Sequence, residues 1–237
     1  MTNNARFSNL NADKIEGTLQ RLSKRISERF PERGLNAVCD ELLSISKTAK
    51  DRSRWMATPL VGLRIAISFL IALIVVGLVA MFFNLRKPDT GFTVAEFVQL
   101  FESAINDIIL IGLAILFLTK MEARIKRSRA LKAIHELRAI AHIIDMHQLT
   151  KEPEFALYEK ENTASSPHHD LNAFQLARYL DYCSEMLSLT GKIAALYVQQ
   201  FDDPVVLAAV NEIETLTTGL SNKIWQKLVI LHSAESS

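Results

Sequence analysis

The longest uninterrupted hydrophobic stretch of the chain lies in its second quarter. From Ile65 to Asn84 no residue is charged, and apolar side chains would fall on every side of a helix. These twenty residues, at about 1.5 Å each, cover roughly the 30 Å thickness of bilayer hydrocarbon. A buried core helix is usually shorter and carries a polar stripe. The stretch therefore predicts a transmembrane helix over residues 59–85.

A second hydrophobic stretch, from Phe101 to Lys120, is interrupted by polar residues in its first third. Only residues 108–119 are free of charge, and that segment is too short to cross a bilayer. Extension towards the N-terminus supplies the missing length and brings Glu102, Asn106 and Asp107 into or beside the membrane. We predict a second transmembrane helix that begins near residue 93, joined to the first by a short external loop over residues 86–92.

Apolar residues in the rest of the chain recur at spacings of three and four, which is typical of amphipathic helices. The region that follows the external loop contains no proline and only one glycine, Gly112. The second span is therefore predicted to continue as a long cytoplasmic helix. Asp170 is the predicted N-cap of a later helix. The second span and its cytoplasmic continuation are together predicted over residues 93–149. The other predicted cytoplasmic segments are helices over residues 1–58, a loop over residues 150–170 and a helical hairpin over residues 171–237.

No segment outside the spans shows the alternation of a β-strand. The fold class that follows is all-α: an integral membrane protein with two transmembrane helices and a cytoplasmic helical bundle formed by both chain ends. Each cytoplasmic helix has an apolar stripe, and such stripes also suit assembly with other copies or with a partner. A homo-oligomer is therefore expected, with a cytoplasmic protein as a further candidate partner.

The distribution of basic residues predicts the orientation of the two spans. Lys and Arg near a span mark its cytoplasmic end. The predicted external loop contains only two basic residues, Arg86 and Lys87. Both termini are therefore expected in the cytoplasm of a protein of the cell inner membrane. Anionic lipid headgroups are the expected partners of the basic residues after the second span, which include Lys120, Arg124, Lys126, Arg127 and Arg129. Nucleic acid is not an expected partner.

The acidic residues at the start of the second span are candidates for ion binding. Glu96, Glu102, Asn106 and Asp107 would form an acidic outer mouth if several copies assembled around one axis, as in a cation channel. The alternative is structural: Asp107 pairs with Arg86 or Lys87, or is protonated, and Asn106 bonds to a neighbouring helix.

Other polar residues give weaker indications of chemistry. His135, His142 and Asp145 share part of a helix face, but their spacing matches no standard metal-binding pattern, and Arg138 on that face would repel a metal. No catalytic constellation or cofactor motif is present, so no enzymatic activity, metal or cofactor is predicted. The expected function is an oligomeric membrane anchor or scaffold that acts through its cytoplasmic helices. The alternative is a homo-oligomeric cation channel.

Overall fold

The computed structural model describes residues 9–31, 33–85, 94–157, 171–199 and 201–235. Within these residues the chain is helical, without strands, so the predicted all-α class is confirmed. The predicted external loop over residues 86–92 lies outside the described residues, as does most of the loop over residues 150–170. The helices are α1 (Ala12–Arg29), α2 (Gly34–Ala57), α3 (Val61–Leu85), α4 (Val94–Leu149), α5 (Pro153–Leu157), α6 (Ala173–Ala195) and α7 (Pro204–Glu235).

The chain divides into two compact units. The terminal unit contains Met1–Ala57 and Arg129–Ser237, so both ends of the sequence build it. The inserted unit is Thr58–Ser128, which contains α3 and the first part of α4.

The terminal unit has one hydrophobic core, formed by the apolar stripes of its helices. Apolar residues at the helical spacings of three and four are buried there, because each amphipathic helix removes its stripe from water against the others. Representative core residues are Ile15, Leu19, Leu22 and Ile26 on α1, Leu35, Val38 and Leu42 on α2, Leu137, Ala141 and Ile144 on α4, Leu180, Leu187 and Ile193 on α6, and Val206, Ile213, Ile224 and Leu231 on α7. The stripes are thus satisfied within a single chain.

Local signals at the helix ends explain where α6 and α7 begin. The side chain of Asn172 accepts a hydrogen bond from the Gln175 amide at 2.8 Å, and the Gln175 side chain accepts one from the Asn172 amide at 3.2 Å. This capping box replaces the predicted N-cap at Asp170, which lies outside the described residues. At α7, Asp203 accepts from the Val205 and Val206 amides, and Pro204 occupies the first helical position.

Phe174 is an apolar residue of α6 that lies outside the hydrophobic core. Its side chain is exposed, because it lies in the first turn of the helix at the edge of the core. Two guanidinium groups cover the ring instead: the Cζ atoms of Arg29 and Arg178 lie 5.5 and 5.8 Å from its centroid.

The described residues contain one helical segment long and apolar enough to cross a membrane, Gly34–Gly77, a statement about length and composition. Its most apolar window has a mean hydropathy of 2.6, and no residue of that window is buried inside the chain. The prediction of two spans is therefore not confirmed. Several side chains in the first part of α4, where the second span is predicted, lie outside the described set.

The C-terminal end of α4 is capped by a side chain from α7. The Lys227 ammonium donates to the Gln148 carbonyl oxygen at 2.7 Å and lies 3.5 Å from that of Leu149, the last residue of α4. Carbonyls at a helix C-terminus have no partner within the helix and carry partial negative charge. Lys227 therefore links α7 to the backbone of α4, in addition to the packing of both helices in the hydrophobic core.

We predict that Lys227→Met, which removes this donor and keeps most of the aliphatic stem, lowers the free energy of unfolding by about 1–2 kcal/mol. Guanidinium-induced unfolding of the full chain in mild detergent measures the change. Lys223→Met is the matched control, because Lys223 is exposed one turn earlier and makes no hydrogen bond or ion pair among the described residues. Equal losses in the two variants would contradict the capping role.

Candidate functional site

The residues predicted to line a pore all lie on α4. Glu102 and Asn106 are exposed and four residues apart, so they share one face of the helix. Their neighbours in the sequence include exposed apolar side chains, among them Phe101, Ile105 and Ile109. The side chains of Glu96 and Asp107 lie outside the described set, so the described part of the acidic mouth consists of Glu102 and Asn106.

The basic residues predicted to bind lipid headgroups have different surroundings. Lys120 and Arg124 are exposed, whereas Lys126 is buried and its ammonium lies 2.9 Å from the Glu122 carboxylate. Glu122 also accepts a hydrogen bond from Arg64 Nε at 2.8 Å, which links α3 to α4 within the inserted unit. Lys126 is therefore engaged inside this unit, while Lys120 and Arg124 have the exposure that contact with headgroups requires. Arg127 is half-buried.

Arg129, the last residue of the predicted headgroup set, lines a cavity of about 400 Å³ in the terminal unit. We call it the arginine cavity. Its size falls within the range of small-molecule sites. The residues that line it are Asp51, Arg52, Trp55 and Met56 from α2, Arg129 and Lys132 from α4, and Tyr197, which follows α6.

Two guanidinium groups in the arginine cavity are held in different ways. The Cζ atom of Arg129 lies 4.3 Å from the centroid of the Trp55 ring, which is a close cation–π contact. Arg52 Nη1 donates to Glu136 Oε2 at 2.8 Å, and this hydrogen bond raises the pKa of the arginine. Arg129 is thus positioned by an aromatic face and Arg52 by a carboxylate.

Tyr197 lines the arginine cavity, and its side chain is fully buried. Burial raises the pKa of the phenol, and the nearby positive charge of Arg52 partly offsets that effect. The hydroxyl lies close enough to the Arg52 guanidinium for the two groups to shift each other's pKa, but the pair does not have the geometry of a regular hydrogen bond, and no other described residue supplies one. A buried polar atom without a partner is uncommon in folded proteins, and a ligand or a water molecule usually supplies the partner.

Sequence reasoning identified only part of the arginine cavity. It selected Arg129 for its charge beside a span, but it did not connect that residue with Trp55 or with Tyr197. These three residues are far apart in the sequence, and only the packing of α2, α4 and the end of α6 brings them together. No local motif could have indicated the cavity.

A smaller cavity of about 250 Å³ lies at the other end of the α4 segment in the terminal unit, beside His147 and Tyr179. His147 Nδ1 is 3.3 Å from the Tyr179 hydroxyl. Burial lowers the pKa of His147, with a further contribution from the positive charge of Lys151, and burial raises the pKa of Tyr179. Both groups are therefore neutral at pH 7.

The candidate metal ligands and thiols do not form a reactive centre in the described part of the chain. No group of three or more His, Cys, Asp or Glu side chains there is arranged to hold a metal ion. His135 and His142 are exposed, and Asp145 accepts a hydrogen bond from Gln148 at 2.6 Å. Cys39 and Cys183 are both buried, and desolvation raises the pKa of each thiol to about 12. Both are protonated at neutral pH, which removes the nucleophilic thiolate.

Comparison of the chain with protein-family models gives no match, and neither does comparison with curated proteins or with solved structures. Among the described cavities, the arginine cavity combines positive charge, an aromatic wall and an unpartnered buried hydroxyl.

We predict that acidification destabilises the terminal unit through His147. The histidine has a pKa of 6.5 in the unfolded chain and a lower one in the folded chain, so below pH 6.5 the unfolded state binds the proton first and gains free energy relative to the folded state. The free energy of unfolding in detergent should fall between pH 7 and pH 5, and His147→Gln should reduce that slope. His142→Gln, an exposed control on the same helix, should keep the wild-type slope; a reduced slope there would count against His147.

Proposed function

We propose that the protein is a two-span membrane anchor of the cell inner membrane, with both termini in the cytoplasm. In this proposal α3 and the first part of α4 cross the bilayer. The terminal unit is then a cytoplasmic helical scaffold that binds a partner. The main support for the proposal is that residues before α3 and residues after the first part of α4 pack together in one hydrophobic core.

The packing of the terminal unit supports an even number of crossings. Helices α1 and α2 contact α6. The buried Ser53 hydroxyl on α2 donates to the Leu196 carbonyl at 2.9 Å, and Arg25 on α1 pairs with Glu185 on α6. Residues that share a core must be on the same side of a membrane. If α3 crosses the bilayer, the chain therefore has to return before Arg129, and the first part of α4 is the segment available for the return.

The charges at the two junctions support a cytoplasmic terminal unit. Exposed basic residues precede α3, including Lys47 and Arg54, and others follow residue 119, including Lys120 and Arg124. Basic residues on the cytoplasmic side of spans agree with the general rule for membrane topology. Lys120 and Arg124 are also suitable contacts for anionic lipid headgroups.

A scaffold needs a surface for its partner, and the core stripes cannot serve because they are buried within one chain. The end of α4 offers another surface. Ile143, Met146 and Leu149 lie on its outer side and are 40%, 70% and 61% exposed. Their spacing of three residues forms an apolar face suited to another helix. We propose that a second copy of the chain binds this outer face.

The topology can be tested with cysteines introduced into the full chain and a membrane-impermeant maleimide. Asp89→Cys, in the predicted external loop, should react in spheroplasts, whereas Lys47→Cys and Lys223→Cys should react only after lysis. The wild-type protein is the background control, because its two buried, protonated thiols should react slowly.

Opposite labelling of Lys47→Cys and Lys223→Cys would place the two halves of the terminal unit on different sides and would contradict the proposal. Protection of Asp89→Cys before lysis would contradict it as well.

Self-association can be tested by measuring the mass of the protein in lipid nanodiscs, corrected for bound lipid. We predict a multimer that Met146→Glu dissociates, because a charge on the outer face of α4 must be desolvated when a second copy binds. Leu207→Glu, on the exposed side of α7, is a matched control that should keep the multimer. A monomeric wild type, or equal dissociation by both variants, would contradict binding through the outer face.

A homo-oligomeric cation channel is the second candidate function. The observation that favours it is the exposure of Glu102 and Asn106 among apolar neighbours on α4. Carboxylates contributed by several copies attract cations. The same mass measurement separates the candidates, since a ring of four or more copies would favour the channel and a dimer would favour the anchor.

A further inference from the structure

We propose that the arginine cavity binds a phosphate ester: the phosphate of a small phosphorylated compound or of an anionic phospholipid headgroup. The proposal goes beyond the membrane anchor, because the cavity lies within the terminal unit and does not depend on how many helices cross the bilayer. The cavity combines two basic side chains that form no ion pair with a described residue, an arginine held over an aromatic ring, a buried tyrosine hydroxyl and an apolar wall.

The cavity contains two basic side chains without an acidic partner. Arg129 and Lys132 project from one face of α4, three residues apart, and neither forms an ion pair with a described residue. Unpaired cations that converge on a concave surface attract an anion and lose less hydration there than they would in a fully enclosed site.

Trp55 prepares Arg129 for a bidentate ligand. The Arg129 Cζ atom lies over the Trp55 ring, 4.3 Å from its centroid, so the indole holds the guanidinium in place while the edge donors of the planar group remain available for a ligand. Those donors can then pair with two phosphate oxygens in parallel, which is the geometry that distinguishes arginine from lysine. The stacking also reduces the conformational entropy that binding would otherwise cost.

The hydroxyl of Tyr197 gives a second, independent indication of a ligand. The side chain is fully buried at the cavity wall, and its hydroxyl, which lies close to the Arg52 guanidinium, makes no hydrogen bond of regular geometry with a described residue. Its raised pKa keeps the phenol protonated at neutral pH, so it can donate a hydrogen bond to a phosphate oxygen. Binding would then remove the cost of an unsatisfied buried group.

The balance of charge and the size of the cavity define the class of ligand. Asp51 contributes one negative charge to the lining, and Glu136 neutralises Arg52. The positive charge that remains is modest, which suits a single phosphate better than a polyanion. A single phosphate fills only part of about 400 Å³, so room remains for a glycerol or sugar group. Trp55 and Met56 offer apolar surface to that group.

The test uses the full chain in phosphatidylcholine nanodiscs, with Trp225→Phe as background so that Trp55 is the only tryptophan. Glycerol 1-phosphate is titrated while Trp55 fluorescence is recorded. In parallel, delipidated protein is exposed to phosphatidylglycerol, and retained lipid is measured by native mass spectrometry. Arg129→Gln with Lys132→Gln should weaken binding at least about tenfold, and Tyr197→Phe, which keeps the core packing, roughly fivefold.

The control is Lys47→Gln with Lys223→Gln, which removes the same charge from exposed positions elsewhere on the terminal unit. Saturable binding of glycerol 1-phosphate that only the cavity variants lose would identify a small phosphate ester. Retention of phosphatidylglycerol alone, with the same dependence, would identify a lipid headgroup. Absence of both, or equal losses in cavity and control variants, would overturn the proposal.

Discussion

The packing of the two chain ends into one core is the constraint on which the rest of the structure depends. Helices α1 and α2 pack against each other and against α6, which lies beyond the whole of the inserted unit in the sequence. The arginine cavity exists because the two ends come together, since α2 supplies one part of its wall and α4 and Tyr197 supply the rest.

This constraint also changes what the amphipathic stripes mean. In an isolated helix, a stripe such as Ile134, Leu137, Ala141 and Ile144 indicates only that some surface must cover it. The covering surface here belongs to the same chain, because those residues are buried in the core of the terminal unit. The two binding surfaces proposed above therefore lie outside the stripes, at Met146 on the outer face of α4 and at Arg129 in the arginine cavity.

The parts of the structure that could be predicted are those with local causes. The predicted helix over residues 93–149 corresponds to α4, since neither proline nor a run of glycines interrupts it. The N-cap of α6 was predicted two residues too early, because Asp and Asn are both good caps and the choice depends on the reciprocal bond from Gln175. The contact of Trp55 with Arg129 and the burial of Tyr197 depend on tertiary packing, which periodicity does not describe.

The division of the core between the two chain ends has a consequence for biosynthesis. About 115 residues separate the end of α2 from the start of α6, so at ~5–20 residues per second the ribosome needs roughly 6–23 s to supply the missing partner. During that interval α1 and α2 lack α6, and part of their apolar surface stays uncovered. Completion of the core then follows synthesis of the inserted unit, so the N-terminal helices reach their final packing only after most of the chain has been made.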